Sequence, residues 1–297
     1  MRRIVVIDPS GPAPADLLTA NCEALSGRGF EVELRLYPNE AGHRLSPDGI
    51  QARAALLTDA LCEAETSVIL CARGGYGASD LLDRIPWRHL GQVEPKLVCG
   101  FSDISALQIA LYLRLGWPGV HGPMPGSGLW QDAGADVNLL LELFRRWPGP
   151  MSGCIELVPE SAGEASGVLV GGCYTVLGDL LGSRHFPPIE RDHILFLEDV
   201  NESAPRLLRT WNQWLQTGMT RRLRAIVLGR FVHRDERERP ALNELVSLLQ
   251  ARCDCPVFQS PEFGHIAPNL PLMIGAHARI GENRLDWSWP SAGGGSI

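Results

Sequence analysis

Three residues that could share one acyl-transfer reaction stand far apart in the chain, each just beyond an apolar run. Ser102 lies in "PKLVCGFSDISALQIALYL", where Leu97-Val98-Cys99 leads to Gly100 and a helical pattern follows, with Ile104, Leu107 and Leu111 on one face. Two roles compete for such a serine. It is a residue type that caps helix N-termini, worth roughly 1 kcal/mol over alanine. It could also stand on a strand–turn–helix elbow. There the hydroxyl is pushed out at the sheet edge, and the next backbone N–H points into an oxyanion site at the helix N-terminus. The usual hydrolase elbow reads GxSxG; here Gly100 fills the first glycine position and Ile104 the second, so the generic motif is half present.

Glu198, in "FLEDVNE", directly follows Ile194-Leu195-Phe196-Leu197. A carboxylate at the end of a buried strand needs a partner. Its neighbours Asp199 and Glu202 read as a solvated strand end that caps the next helix. His265 lies in "FGHIAPNLP", and His121, in "GVHGPM", also follows an apolar stretch and is a candidate to line the same crevice. "RGGYG", residues 73–77, reads as a turn after a buried strand. It lacks the GxGxxG pattern and a following Lys-Ser/Thr, so it is not a phosphate loop. Its glycine pair could let backbone N–H groups approach an oxyanion.

The elements that must position these residues alternate along the first half. "RIVVIDPSG", "FEVELRLY", "TSVILCA" and "KLVCGFSD" read as strands. "ADLLTANCEALSGRG", "SPDGIQARAALLTDALCEA" and "ISALQIALYLRLG" read as helices between or after them. This alternation predicts a parallel sheet with helices on both faces and a ligand crevice beyond the carboxyl ends of its strands. The loops "PSG", "RGGYG" and "GFSD" should therefore gather on one edge.

A helix over "DVNLLLELFRRW" precedes "PGPMSG" and the Gly-rich "PESAGEASG", read together as a linker. The expected division is 1–155 for an N-terminal α/β domain and 156–297 for a second one. The second half is again mixed, with strands over "HILFLEDVNE" and "LRAIVLGRF", helices over "SAPRLLRTWNQWLQTG" and "RPALNELVSLLQARC", and an irregular strand region "PVFQSPEFGHIAPNLPLMIGAHARI". The tail "SAGGGSI" is expected to be mobile.

Composition narrows the function. With 297 residues and 45% hydrophobic content the chain can form one large or two ordinary globular domains. A net charge of -7 argues against nucleic acid as the main partner. Of the eight cysteines, several lie in apolar runs, and no pair of CxxC motifs suggests structural zinc. "CDC" at 253–255 has no further ligands close by in sequence. Only four apolar residues follow the N-terminal arginines before Asp8, too few for a signal peptide, and no window approaches a membrane span. A cytoplasmic protein with no metal or other cofactor is the expectation.

Taken together, "DPSGP", "RGGYGASDLL", "GFSDISAL", "HGPM", "FLEDVNE" and "GHIAPNLPLMIG" resemble, in order and approximate spacing, the LD-carboxypeptidases, serine peptidases that include muramoyltetrapeptide carboxypeptidase. The resemblance covers nearly the whole chain. It implies a flavodoxin-like N-terminal domain and a smaller swivelling α/β C-terminal domain. It also implies a triad of Ser102, Glu198 and His265, with the serine from the first domain and the other two from the second. The backbone N–H groups of Asp103 and Gly75 would hold the oxyanion, and Arg73 is the candidate for the terminal carboxylate of the substrate. The implied substrate is a murein tetrapeptide cut before its terminal D-Ala, in cytoplasmic peptidoglycan recycling, by a homodimer.

Two departures stand out. Gly171-Gly172-Cys173-Tyr174 occupies the place of the family's GGNL, and a thiol cannot make the hydrogen bonds of an amide. The related microcin C immunity peptidases use the same triad on aminoacyl-nucleotide analogues with an aromatic-bearing loop, a role for which Trp130 is the candidate. A non-enzymatic ligand-binding protein, with Ser102 a mere cap, and an ordinary α/β-hydrolase with one continuous sheet are the other readings.

Overall fold

The computed structural model describes residues 2–38, 42–132, 134–158, 163–187, 189, 192–238, 241–242 and 244–290. The tail "SAGGGSI" and part of the "PESAGEASG" stretch lie outside them. The first half supplies β1 (Arg2–Ile7), β2 (Phe30–Arg35), β3 (Val68–Cys71), β4 (Leu97–Gly100) and β5 (Gly119–His121). The apolar residues of β1, and all of β3 and β4, are buried, as expected of parallel strands covered on both faces. The order β5-β4-β3-β1-β2 is that of a flavodoxin-like sheet. Helix Pro47–Cys62 starts where its sequence predicts, with Ser46 accepting a hydrogen bond from the Gly49 N–H at 3.1 Å.

A second sheet has the order β10-β9-β8-β7-β12-β13-β6. Its strands are β6 (Met151–Glu156), β7 (Ala165–Cys173), β8 (His193–Val200), β9 (Leu223–Val232), β10 (Val257–Gly264), β12 (His277–Gly281) and β13 (Arg284–Trp289). Helix Ala204–Thr217 packs on this unit with Ala204, Leu207, Trp211 and Trp214 buried at helical spacing. Full burial of each large side chain contributes about 2–3 kcal/mol. Two separate sheets exclude the single continuous sheet of an α/β-hydrolase.

Two features differ from the sequence reading. Met151–Glu156, read as the start of the linker, is the edge strand β6, with Met151 and Ile155 facing inward. Gly153 within it and Pro148 and Pro150 just before it hid a pattern carried by only two residues. And β11 (Leu272–Ile274), which lies between strands of the second sheet in sequence, joins the first sheet, antiparallel to β5, with Leu272 opposite His121. The chain thus crosses back to the first sheet immediately after the loop that carries His265.

Helix Ser105–Leu115 lies at the seam between the sheets, packed against β5, β7 and β11. Most of its residues are buried, consistent with a helix covered on more than one side. Gln108 Nε2 donates to the carbonyls of Val98, Gly100 and Val120 and so ties this helix to the ends of β4 and β5. Gly116 closes it in a left-handed conformation at φ 69.

Candidate active site

Ser102 begins a 3-10 turn between β4 and helix Ser105–Leu115, and its backbone is left-handed, with φ 62. That conformation costs a non-glycine residue roughly 1–2 kcal/mol. It turns the serine away from cap geometry. Ser102 makes no capping bond to its own helix, and neither does Asp103. Gly100 explains how Ile104 replaces the second glycine of the generic elbow: a Cβ on Gly100 would lie 3.0–3.1 Å from Ile104 side-chain atoms. The glycine gives up the space that the isoleucine fills.

The Asp103 carboxylate serves other loops. Its Oδ2 accepts from Ser10 Oγ at 2.5 Å and from the Ala78 N–H at 2.9 Å. Gly11 N–H donates to the Gly74 carbonyl at 3.0 Å. Arg53, 1% exposed, donates to the carbonyls of Pro9, Gly77 and Arg44, and Asp8 accepts from the Tyr37 N–H and from Arg44. These bonds fasten "DPSG", "RGGYG" and "GFSD" along one edge. Gly74 then lies directly against the serine: a Cβ there would stand 2.8 Å from Ser102 Cβ and 3.0 Å from Oγ. Gly75 has φ 117 and packs on Gly11, whose atoms would be 3.3 Å from any Cβ added to it.

The second sheet brings the other two residues. Glu198 sits in β8 beside a register shift between β8 and β9, opposite Cys173 of β7, and is 0% exposed. His265 directly follows β10. Its Nδ1 donates to Glu198 Oε2 at 2.5 Å, a short, charge-assisted hydrogen bond. With Nδ1 so occupied, Nε2 holds the lone pair. Nε2 is buried and makes no hydrogen bond, to Ser102 or to any other described residue. Phe101, the neighbour of Ser102, packs edge-to-face on the His265 ring at 4.9 Å. Burial lowers the His265 pKa, but the charge and hydrogen bond of Glu198 outweigh it, and the net shift is upward.

The loop after His265 is clamped from two sides. Arg230 Nη1 donates to the Ala267 carbonyl at 2.7 Å, and its Nη2 donates to the carbonyls of Ile266 and Pro268. Asn269 accepts the Gly264 N–H at 3.2 Å, and its own N–H donates to Asp136, on a helix of the first half, at 2.5 Å. Pairing of β11 with β5 completes the fastening. Neither Arg230 nor Asp136 carries a sequence signal for this role, since each acts on backbone groups remote in the chain.

His121 lies behind the site. It is 0% exposed, ringed by Phe101, Phe196 and Phe263, and burial lowers its pKa to about 4. It faces no open crevice. Arg73 is on the surface beside the "DPSGP" loop; it donates to the Pro12 carbonyl at 2.9 Å and forms no ion pair among the described residues. Asp199, read as a solvated cap, is 3% exposed instead. It accepts from the N–H groups of Thr175 and Val200 and from the Cys173 thiol at 3.6 Å. Burial, then the Glu198 charge, raises its pKa to about 6. Glu202 pairs with Arg206 at 2.9 Å. Cys173 also donates its N–H to Ser105 Oγ at 2.9 Å, joining the two sheet units next to the serine turn. Trp130 is 7% exposed and packs in the core. Among the described residues no group of three His, Cys, Asp or Glu side chains converges as a metal site, and no helix is long and apolar enough to cross a membrane.

Comparison with known proteins places this geometry in a family. The LD-carboxypeptidase N-terminal domain matches residues 4–122 and the LD-carboxypeptidase C-terminal domain residues 166–280. A Streptomyces coelicolor relative is 35% identical over 94% of this chain and 90% of its own length. The murein tetrapeptide carboxypeptidase of Pseudomonas aeruginosa is 31% identical over 96% of this chain and 95% of its own. The crystal structure of muramoyltetrapeptide carboxypeptidase from Oxalobacter formigenes superposes with a TM-score of 0.82 at 25% identity, covering 97% of this chain and 99% of that one. The structure of MccF in complex with glutamyl sulfamoyl guanosine shares the fold, with a TM-score of 0.78 at 19% identity over 98% and 96% of the two chains. The chain belongs to the LD-carboxypeptidase family and is a serine-type carboxypeptidase.

Proposed function

We propose that this protein releases the terminal D-Ala from murein tetrapeptide through an acyl-enzyme on Ser102. The observation that carries the reading is the 2.5 Å pairing of His265 with the fully buried Glu198, on a ring packed against Phe101, the neighbour of the left-handed Ser102. A neutral serine needs a base to take its proton. His265 Nε2 accepts it and passes it to the departing D-Ala amine. Glu198 fixes the tautomer and stabilises the imidazolium. The backbone N–H groups of Gly75 and Asp103 hold the oxyanion, and water then releases the acyl group. Arg73, exposed and bonded only to the Pro12 carbonyl among the described residues, meets the D-Ala carboxylate. No cofactor enters this scheme. The burial of His121 supports a place for it in the packing behind the triad and not in substrate contact.

A homodimer and a cytoplasmic role in peptidoglycan recycling belong to the same proposal. Hydrolysis of aminoacyl-nucleotide analogues is the second reading, supported by the shared MccF fold. Trp130, one candidate aromatic for it, is buried. D-Ala release from murein tetrapeptide, set beside hydrolysis of an aminoacyl-sulfamoyl adenosine, separates the two. A higher kcat/KM on the tetrapeptide is expected, and turnover of the nucleotide analogue alone overturns the proposal.

A further inference from the structure

We propose that the cleft between the "DPSGP" loop and Tyr76 is a second subsite that seats the saccharide end of a muropeptide; this rests on the function proposed above. The cleft has a volume of about 450 Å³ and a mostly apolar lining that includes Gly11, Pro12, His43, Arg44, Leu45 and Tyr76. It begins one layer from the nucleophile, because Gly11 packs on Gly74 and Gly75, and Gly74 packs on the Ser102 side chain. Exposed apolar surface is concentrated here. Among the described residues, five large hydrophobic side chains are exposed, and two of them, Leu45 at 45% and Tyr76 at 58%, line this cleft. A third, Ile266 at 44%, adjoins His265. Grouped exposed apolar residues mark binding surfaces more often than scattered ones do.

The chemistry of the lining selects among the parts of the substrate. The cleft is far larger than the single alanine that leaves. Its one guanidinium is already committed: Arg44 pairs with the Asp8 carboxylate at 2.9 Å and donates to the carbonyls of Asp8 and Ser10. Among the described residues that line it, no uncommitted guanidinium is left for a free carboxylate. A muramyl sugar presents instead a C–H face, an N-acetyl methyl and a lactyl methyl, which match a tyrosine ring and a leucine. Tyr76 is held for such stacking, since its hydroxyl donates to Asp80 Oδ1 at 3.1 Å while the side chain remains exposed.

The test is the ratio of kcat/KM for N-acetylmuramoyl-tetrapeptide to that for free tetrapeptide, measured on one preparation so that any unfolded fraction cancels. The wild-type ratio should be about tenfold, the effect of burying some tens of Å² of apolar surface. Tyr76→Ala should bring it close to one, and Tyr76→Trp should preserve it. A wild-type ratio near one, or the same ratio in wild type and Tyr76→Ala, overturns the subsite while D-Ala release continues. If wild type releases D-Ala from neither substrate, the function proposed above fails and the subsite with it.

Discussion

His265 Nδ1 lies 2.5 Å from Oε2 of Glu198, a carboxylate that is completely buried, and the imidazole so held packs on Phe101, the neighbour of Ser102. The pairing sets a sign for the pH dependence. The His265 pKa lies above its ordinary value because Glu198 outweighs the downward effect of burial. The neutral imidazole is the base, so kcat/KM should rise with pH through a midpoint above about 6.5. Glu198→Gln removes the offsetting charge and leaves burial in control. A pH–rate profile of that variant should show its acid limb below the wild-type one, together with a large fall in rate.

The same shift fixes the sign for stability. A raised folded-state pKa means that this pair's contribution is fully present below the unfolded imidazole pKa and is lost as pH rises through the folded value. Urea midpoints of wild type and His265→Gln should therefore differ most at pH 5.5 and converge above the folded pKa.

Ser102 occupies a left-handed conformation that favours glycine. Ser102→Gly should be more stable than Ser102→Ala by about 1 kcal/mol in urea denaturation, although neither releases D-Ala.

Gly74 is glycine because the serine side chain fills the space of its Cβ, at 2.8 Å from Ser102 Cβ and 3.0 Å from Oγ. Gly74→Ala should cost about 1–3 kcal/mol of stability and reduce kcat sharply. Since the clash is with the serine itself, most of that cost should vanish in the Ser102→Gly background, as a double-mutant cycle on urea midpoints would show.

Arg230 holds three successive carbonyls of the loop after His265. Arg230→Met keeps much of the packing and removes the donors. It should destabilise by about 2 kcal/mol and lower kcat more than it changes KM, because the loss falls on placement of the base.

Much of this architecture was readable as pattern. Continuous apolar runs announced β1, β3 and β4, and the loops that end them do meet at one edge through Gly11, Gly74 and Asp103. Other features left no local trace. In β6, Met151 and Ile155 are the whole inward pattern, set among Gly and Pro. The passage of β11 into the first sheet depends on Leu272–Ile274 meeting β5, a contact between distant segments. Asp199 looked solvated because its partners, Thr175 and Cys173, lie on another element. Arg230 reads as one more strand residue until the loop it grips is folded beside it. The serine, too, reads as a cap in isolation. Its φ of 62 leaves no mark in the string "GFSD".

The central claim is that Ser102 is the nucleophile of a D-Ala-releasing carboxypeptidase. The most direct measurement is kcat/KM for D-Ala release from murein tetrapeptide by wild type and by Ser102→Ala, with folding of the variant verified by circular dichroism. A fall of about 10³-fold or more is expected. Release by Ser102→Ala at a rate close to wild type would contradict the account.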